Sequence, residues 1–147
     1  MDNLKGLLVF YLGDLEFCAD IKDITTTIKV DKLGNNYPVS RLDNLKLMIN
    51  KSEVQIINLH QIFGITLTKF DQDTRIFLYE KDNNRFGFFV DNVSELLTID
   101  RKITKHLEFI PPQNNEFLLS IIKFEGRLLY LPDYLKIAQH KLIQKTV

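Results

Sequence analysis

Apolar residues run along this chain in short blocks punctuated by Gly, Asp and Asn, and the blocks occur twice in the same order. Leu8 to Ile21 reads L-V-F-Y-L-G-D-L-E-F-C-A-D-I: an apolar strand, a Gly13-Asp14 turn, and a second strand that closes on Asp20-Ile21. Ile76 to Val93 repeats the plan, with a strand through Tyr79, a turn at Asp82 to Asn84, the strand F-G-F-F-V and a close on Asp91-Asn92-Val93. The two closing aspartates are 71 residues apart. A second pair follows. The strand Glu53 to Asn58 leads into a short helix Leu59 to Phe63, and Leu128 to Asp133 leads into a helix Tyr134 to Lys145, with Asn58 and Asp133 75 residues apart. Two such similar offsets predict two small β subdomains of related design, with the working surface between and around them.

Phe, Tyr, Ile and Val fill these blocks, as half-buried strands require. Thr74 to Glu80 and Arg85 to Val90 predict a hairpin across Asp82-Asn83-Asn84, where Asn tolerates positive φ. Ser120 to Glu125 and Arg127 to Leu131 predict another around Gly126. Gly87 in mid-strand points to a bulge or barrel corner. Helical signals are fewer. Asp20 to Ile28 reads as a short helix capped by Asp20, with Ile21, Ile24 and Ile28 on one stripe, against the β-branched run Thr25-Thr26-Thr27. Asp133 caps the last helix, with Tyr134, Ile137, Ala138 and Leu142 on one face and His140, Lys141 and Lys145 at its negative end. Lys105 to Asn115, with Pro111-Pro112, reads as an irregular crossing. The polar stretch Lys69 to Asp73 places a joint between the halves near residues 65–73, too short for a disordered linker, so residues 1–147 are expected to act as one domain.

Composition narrows the function. At 147 residues and 45% apolar content the chain can bury roughly 70% of its unfolded surface without disulfides or metals. Nineteen basic and nineteen acidic residues give no net charge, so no global field attracts polyanions. A small barrel with exposed rings can still bind single strands, and an oligonucleotide-binding barrel is the rival reading from another class. It would need a basic stripe, and here Lys and Arg are mixed with Asp and Glu. One cysteine, Cys18, forms no internal bridge and fits a reducing cytoplasm. No stretch approaches the ~18 apolar residues of a membrane span, so a cytoplasmic chain with no direct membrane insertion is expected.

Candidate chemistry is sparse. His60, His106 and His140 are 46 and 34 residues apart, without metal-site spacing, and read as solvated or helix-terminal. Cys18 lies within a strand, as a small buried hydrophobe does. Asp71-x-Asp73 lacks the remaining ligands of a calcium loop. The glycines are scattered singly, and no phosphate loop or nucleophile elbow is present. No enzyme, no metal and no cofactor is the expectation. A pocket converging His60 or His106 with carboxylates would reopen the enzyme reading.

The residues themselves resemble the CheW family of chemosensory coupling proteins from about Leu8 to Ile137. The resemblance is carried by L-V-F-Y-L-G-D-L-E-F-C-A-D-I, by F-G-F-F-V-D-N-V-S-E-L-L (Phe86 to Leu97), by Pro111-Pro112 and by E-G-R-L-L-Y-L-P-D-Y-L. It implies a mainly β fold, with two SH3-like five-stranded β-barrel subdomains around a shared hydrophobic seam, a few short helices and a C-terminal helix. It also implies a non-enzymatic adaptor with two partners: the regulatory domain of a CheA-type histidine kinase and the cytoplasmic tip of a chemoreceptor.

The chain departs from the family at one segment. Where the family carries a stretch like G-V-I-N-L-R-G, this chain has Leu45 to Lys51, and the family's Glu in the first helix stands here as Thr26. Asn50 takes the place of the Arg, and cannot make its forked, charge-assisted contacts. The resemblance assigns Ile24, Ile28 and Asn50 to the kinase face and Val93 and Leu96 to the receptor groove. Core or seam packing is the competing reading for all of them. The lost Arg leaves open a fold kept for another protein-interaction role.

Overall fold

The structure, a computed structural model, describes residues 4–29, 46–66 and 72–146, with side chains as far as His140. Residues 67–71 of the expected joint, Asp71 with them, lie outside the described residues, as do the side chains of Lys141, Leu142 and Lys145. The first half runs β1 (Gly6–Leu12), β2 (Leu15–Asp20), a single 3-10 turn (Ile21–Asp23), β3 (Ile24–Lys29), β4 (Lys46–Ile49), β5 (Ser52–Ile57) and α1 (Leu59–Phe63). The second runs β6 (Arg75–Lys81), β7 (Asn84–Val90), β8 (Asn92–Thr98), α2 (Arg101–Thr104), β9 (Glu108–Ile110), β10 (Leu118–Phe124), β11 (Arg127–Pro132) and α3 (Tyr134–Thr146).

These strands form two sheets, ordered β8-β1-β2-β11-β10-β9 and β3-β6-β7-β5-β4. The repeat read in the sequence is visible in the pairing. Each sheet is built on a central hairpin, β1–β2 or β6–β7, whose second strand pairs in parallel with β11 or β5. The strand that follows each hairpin crosses to the other sheet, so that β3 pairs with β6 and β8 with β1. Both exchanged strands carry one extra residue, Thr25 opposite Tyr79/Leu78 and Ser94 opposite Val9/Phe10. The helices after β5 and β11 are capped alike. The Asn58 side chain accepts the Gln61 N–H at 3.3 Å, and the Asp133 carboxylate accepts the Lys136 N–H at 3.1 Å.

One large cluster fills the seam between the sheets, with Leu7, Val9, Phe10 and Phe17 from one and Phe77, Tyr79, Phe88 and Val90 from the other. Phe10 and Phe77 meet across it at 5.2 Å. Tyr134, the first residue of α3, lies against Phe77, Tyr79 and Phe88, and its hydroxyl donates to the Cys18 carbonyl at 2.8 Å. The five-stranded sheet has a second cluster on its other face: Ile49, Val54, Ile56, Ile76, Leu78 and Phe89. Ile28 and Leu47, from the two edge strands of that sheet, both pack on this cluster, so the sheet curls round it. The fold is mainly β in two SH3-like halves, as expected, and one sheet gains a sixth strand.

Three local expectations are corrected. Asp20 to Ile28 is not a helix: Asp20 accepts the Lys22 N–H at 3.1 Å and caps one 3-10 turn, after which the β-branched run continues as β3. Gly87 is no bulge. β6 and β7 pair without interruption, and an added Cβ at Gly87 would stand 2.3 Å from Ile56 Cδ1, so glycine is needed there for close packing. The crossing Lys105 to Asn115 contains β9, where Phe109 and Ile110, extended ahead of Pro111, pair with Ile122 and Ile121.

Candidate interaction surfaces

Four of the five residues singled out in the sequence lie on edge strands, and the fifth, Asn50, in a turn that ends one. Ile24 and Ile28 lie on β3, half-buried, and the extra residue Thr25 turns them to opposite faces: Ile24 packs on the seam cluster and Ile28 on the second cluster. They do not share the stripe that a helix would have given them. Asn50 lies at the far edge of the same sheet, in the two-residue turn between β4 and β5, with φ of 52° at Asn50 and 66° at Lys51. Both are left-handed, a conformation that Asn accepts readily and Lys does not. This hairpin was missed because Asn50-Lys51 lacks the usual glycine. Beside the turn, Met48 is 69% exposed, and Arg85 donates to the Ile49 carbonyl at 3.4 Å while pairing with Glu80 at 2.8 Å.

Val93 and Leu96 lie on β8, opposite Phe10 and Leu8 of β1. Val93 is half-buried against the seam, whereas Leu96 is 60% exposed. Between them Glu95 joins Glu16 in holding Arg127. The guanidinium donates from Nε and Nη2 to Glu16 at 3.1 and 2.6 Å and lies 2.5 Å from Glu95, tying β11, β2 and β8 together. Of the five residues, then, Asn50 and Leu96 are open to solvent, and Ile24, Ile28 and Val93 contribute to packing.

The titratable groups serve the fold. His60, expected to be solvated or helix-terminal, does lie in the short helix α1 but is only 1% exposed, because α1 folds under the β7–β8 junction. Its Nε2 meets Asp91 Oδ1 at 2.9 Å, and Asp91 Oδ2 accepts the Gly13 N–H at 2.6 Å. Partial burial alone would raise the Asp91 carboxyl, but the hydrogen bonds from His60 and Gly13 and the His60 charge hold it below the usual aspartate range. This pair joins the turn of the first hairpin to the close of the second. The aspartate of the V-D-x-V pattern was the available signal, but its partner could not be read. Burial, with Asp20 adding to it, pushes the Cys18 thiol far up, which leaves it without a nucleophile's thiolate. Among the described residues no group of three His, Cys, Asp or Glu side chains could hold a metal ion, and no helix is long and apolar enough to cross a membrane.

The family model described as CheW-like domain matches residues 6–142. The chain belongs to this family. A search of curated protein sequences finds no match. Among solved structures, the chain is similar to the scaffolding protein TtCheW from Thermoanaerobacter tengcongensis. The identity is 22%, the TM-score is 0.70, and 88% of each chain is covered. That likeness establishes a CheW-like fold.

Proposed function

We propose that this chain is a cytoplasmic, non-enzymatic adaptor of chemosensory signalling that couples the tip of a chemoreceptor to the regulatory domain of a CheA-type histidine kinase. The observation that carries the reading is the match to the CheW-like domain over residues 6–142, nearly the whole chain. The word scaffolding, used of the Thermoanaerobacter protein, agrees with it. The whole chain acts as one domain in this reading, because the strand exchange leaves neither sheet complete without the other half.

The kinase face comprises Ile24, Ile28 and Asn50, at the two edges of the five-stranded sheet, and the exposed Met48 extends it. Leu96, with Val93 beneath it, belongs to the receptor face. Half-buried Ile24 and Ile28 give this surface its shape, and the exposed Met48 and Leu96 are suited to be its apolar contacts. Asn50-Lys51, a turn pair where the family has Arg and Gly, supports a second reading in which the fold is kept and kinase coupling is lost.

Calorimetric titration with the regulatory domain of a chemotaxis-type kinase from the same organism separates the two readings. Micromolar binding that Met48→Asp reduces at least ~10-fold supports coupling through this face. No binding by a well-folded chain assigns it to another protein-interaction role.

A further inference from the structure

A cleft of about 230 Å³ opens where the 3-10 turn, β6 and the start of α3 meet. Three carboxylates, Asp20, Asp23 and Asp133, and two ammonium groups, Lys22 and Lys81, line it beside Tyr79 and Leu119. Two of the three carboxylates are committed. Asp20 accepts the Lys22 N–H and pairs with the Lys22 ammonium at 3.4 Å, and Asp133 caps α3. Asp23 differs: it is only 8% exposed, and among the described residues its carboxylate has no hydrogen bond and no ion pair. Desolvation pushes its pKa up. Lys81 opposes this, Asp20 adds to it, Lys22 opposes and Asp82 adds. The Asp23 oxygens are reachable from the cleft, where Lys81 and Lys22 act on the carboxylate without pairing with it, and a cation entering the cleft would make the direct contact that they do not.

We propose that this cleft is a binding site for the guanidinium or ammonium end of a basic side chain presented by a protein partner. Asp23 is the charged contact. The rings of Tyr79 and Tyr134, 5.1 Å apart, form an aromatic wall. Leu131 and Pro132 are apolar surface for a methylene stem. Leu119, the extra residue of β10 and 51% exposed, stands at the mouth, where residues flanking the basic one in a partner chain can rest. The site does not depend on the adaptor reading. A kinase or receptor that fails to bind leaves the cleft untested and intact, and an empty cleft leaves the adaptor reading intact.

The full chain, ¹⁵N-labelled, is titrated with n-butylguanidinium and, in parallel, with uncharged n-butylurea. Saturable movement of the Lys22, Asp23, Tyr79 and Asp133 amide signals with the guanidinium alone is the expected result. Asp23→Asn is expected to weaken binding ~10-fold or more while melting at or above the parent temperature, because it removes a partly desolvated charge that has no direct partner. The capped peptide acetyl-Leu-Arg-Leu-amide is expected to bind ~10-fold more tightly than butylguanidinium, through contacts at Leu119. Equal response to butylurea, binding retained by Asp23→Asn, or a clear loss of stability in that variant overturns the site. Equal affinity for the peptide and the free cation overturns the protein source.

Discussion

The two sheets use their faces differently. The five-stranded sheet is buried on both sides, with Phe77, Phe88 and Val90 in the seam and Ile56, Ile76 and Phe89 in its own curled interior. The six-stranded sheet shares the seam but leaves Leu96, Leu119 and Leu128 outside. Related hairpins thus serve two purposes: one half is mostly core, and the other carries apolar side chains that the fold does not need to cover. Away from the exposed β4 edge with Met48, substitutions should therefore damage stability in the first sheet, and at the exposed leucines of the second they should damage association.

The sharpest test of the core half is Phe88→Ala. Phe88 is fully buried and its ring touches Phe77, Tyr79 and Tyr134, so it joins one sheet to the helix that closes the seam. Truncation should cost about 3–5 kcal/mol, read as a lower denaturant midpoint at unchanged slope. A loss under ~1 kcal/mol would mean that the seam is loosely packed and the contrast between the sheets is false.

Gly87→Ala probes the other face of the same strand. The new methyl group would press on Ile56 Cδ1 at 2.3 Å and Ile76 Cγ2 at 3.2 Å, and overpacking of this kind costs about 1–3 kcal/mol. A neutral result would show that the second cluster has room to yield. Asp91→Ala tests the junction between the halves, because it leaves His60 Nε2 and the Gly13 N–H without their partner. A loss of about 2 kcal/mol is expected at neutral pH. The acid limb gives the sign. The folded carboxyl binds its proton less tightly than the unfolded one, so its contribution is present above an unfolded pKa of about 3.9 and is lost as pH falls through the lower folded value. Denaturation profiles across that range should be steeper for the parent chain than for the variant.

Much of this architecture was legible because local chemistry and global pairing agree. The repeated strand-turn-strand blocks, the Asp133 cap and the Tyr134 face all recur in the structure. What was not legible depends on long-range pairing. The crossing of β3 and β8 to the opposite sheets has no local signal, and with it went the faces of Ile24, Ile28 and Val93. A helical period fitted Ile21, Ile24 and Ile28 as well as strand alternation does, and the Thr25-Thr26-Thr27 run was the cue that should have decided between them. The His60–Asp91 pair joins residues 31 apart in sequence, and only the folded chain brings them together.

A smaller effect of opposite sign is expected at the edge of the five-stranded sheet. Lys51 holds φ of 66° in an exposed turn, a conformation that costs a side-chain-bearing residue about 1 kcal/mol and glycine almost nothing. Lys51→Gly should therefore raise stability by up to ~1 kcal/mol, in part offset by the greater freedom of glycine in the unfolded chain. No gain in the thermal midpoint would place the turn in a different conformation and remove the reason given for Asn50.

The smallest expected change in stability is also the one that most directly separates the sheets. Leu96 is paired on one side only, with β1, and its side chain extends mostly into solvent at 60% exposure. Leu96→Ser removes apolar surface that folding did not cover, so its unfolding free energy should stay within ~0.5 kcal/mol of the parent. Binding to a receptor-tip helical hairpin should nevertheless fall, because an apolar side chain held out on a rigid edge strand contributes when a partner covers it. A stable variant with unchanged receptor binding would move the receptor face away from β8. A destabilised one would show that the outer face of the six-stranded sheet is as much core as the inner, and the division of labour between the sheets would fail.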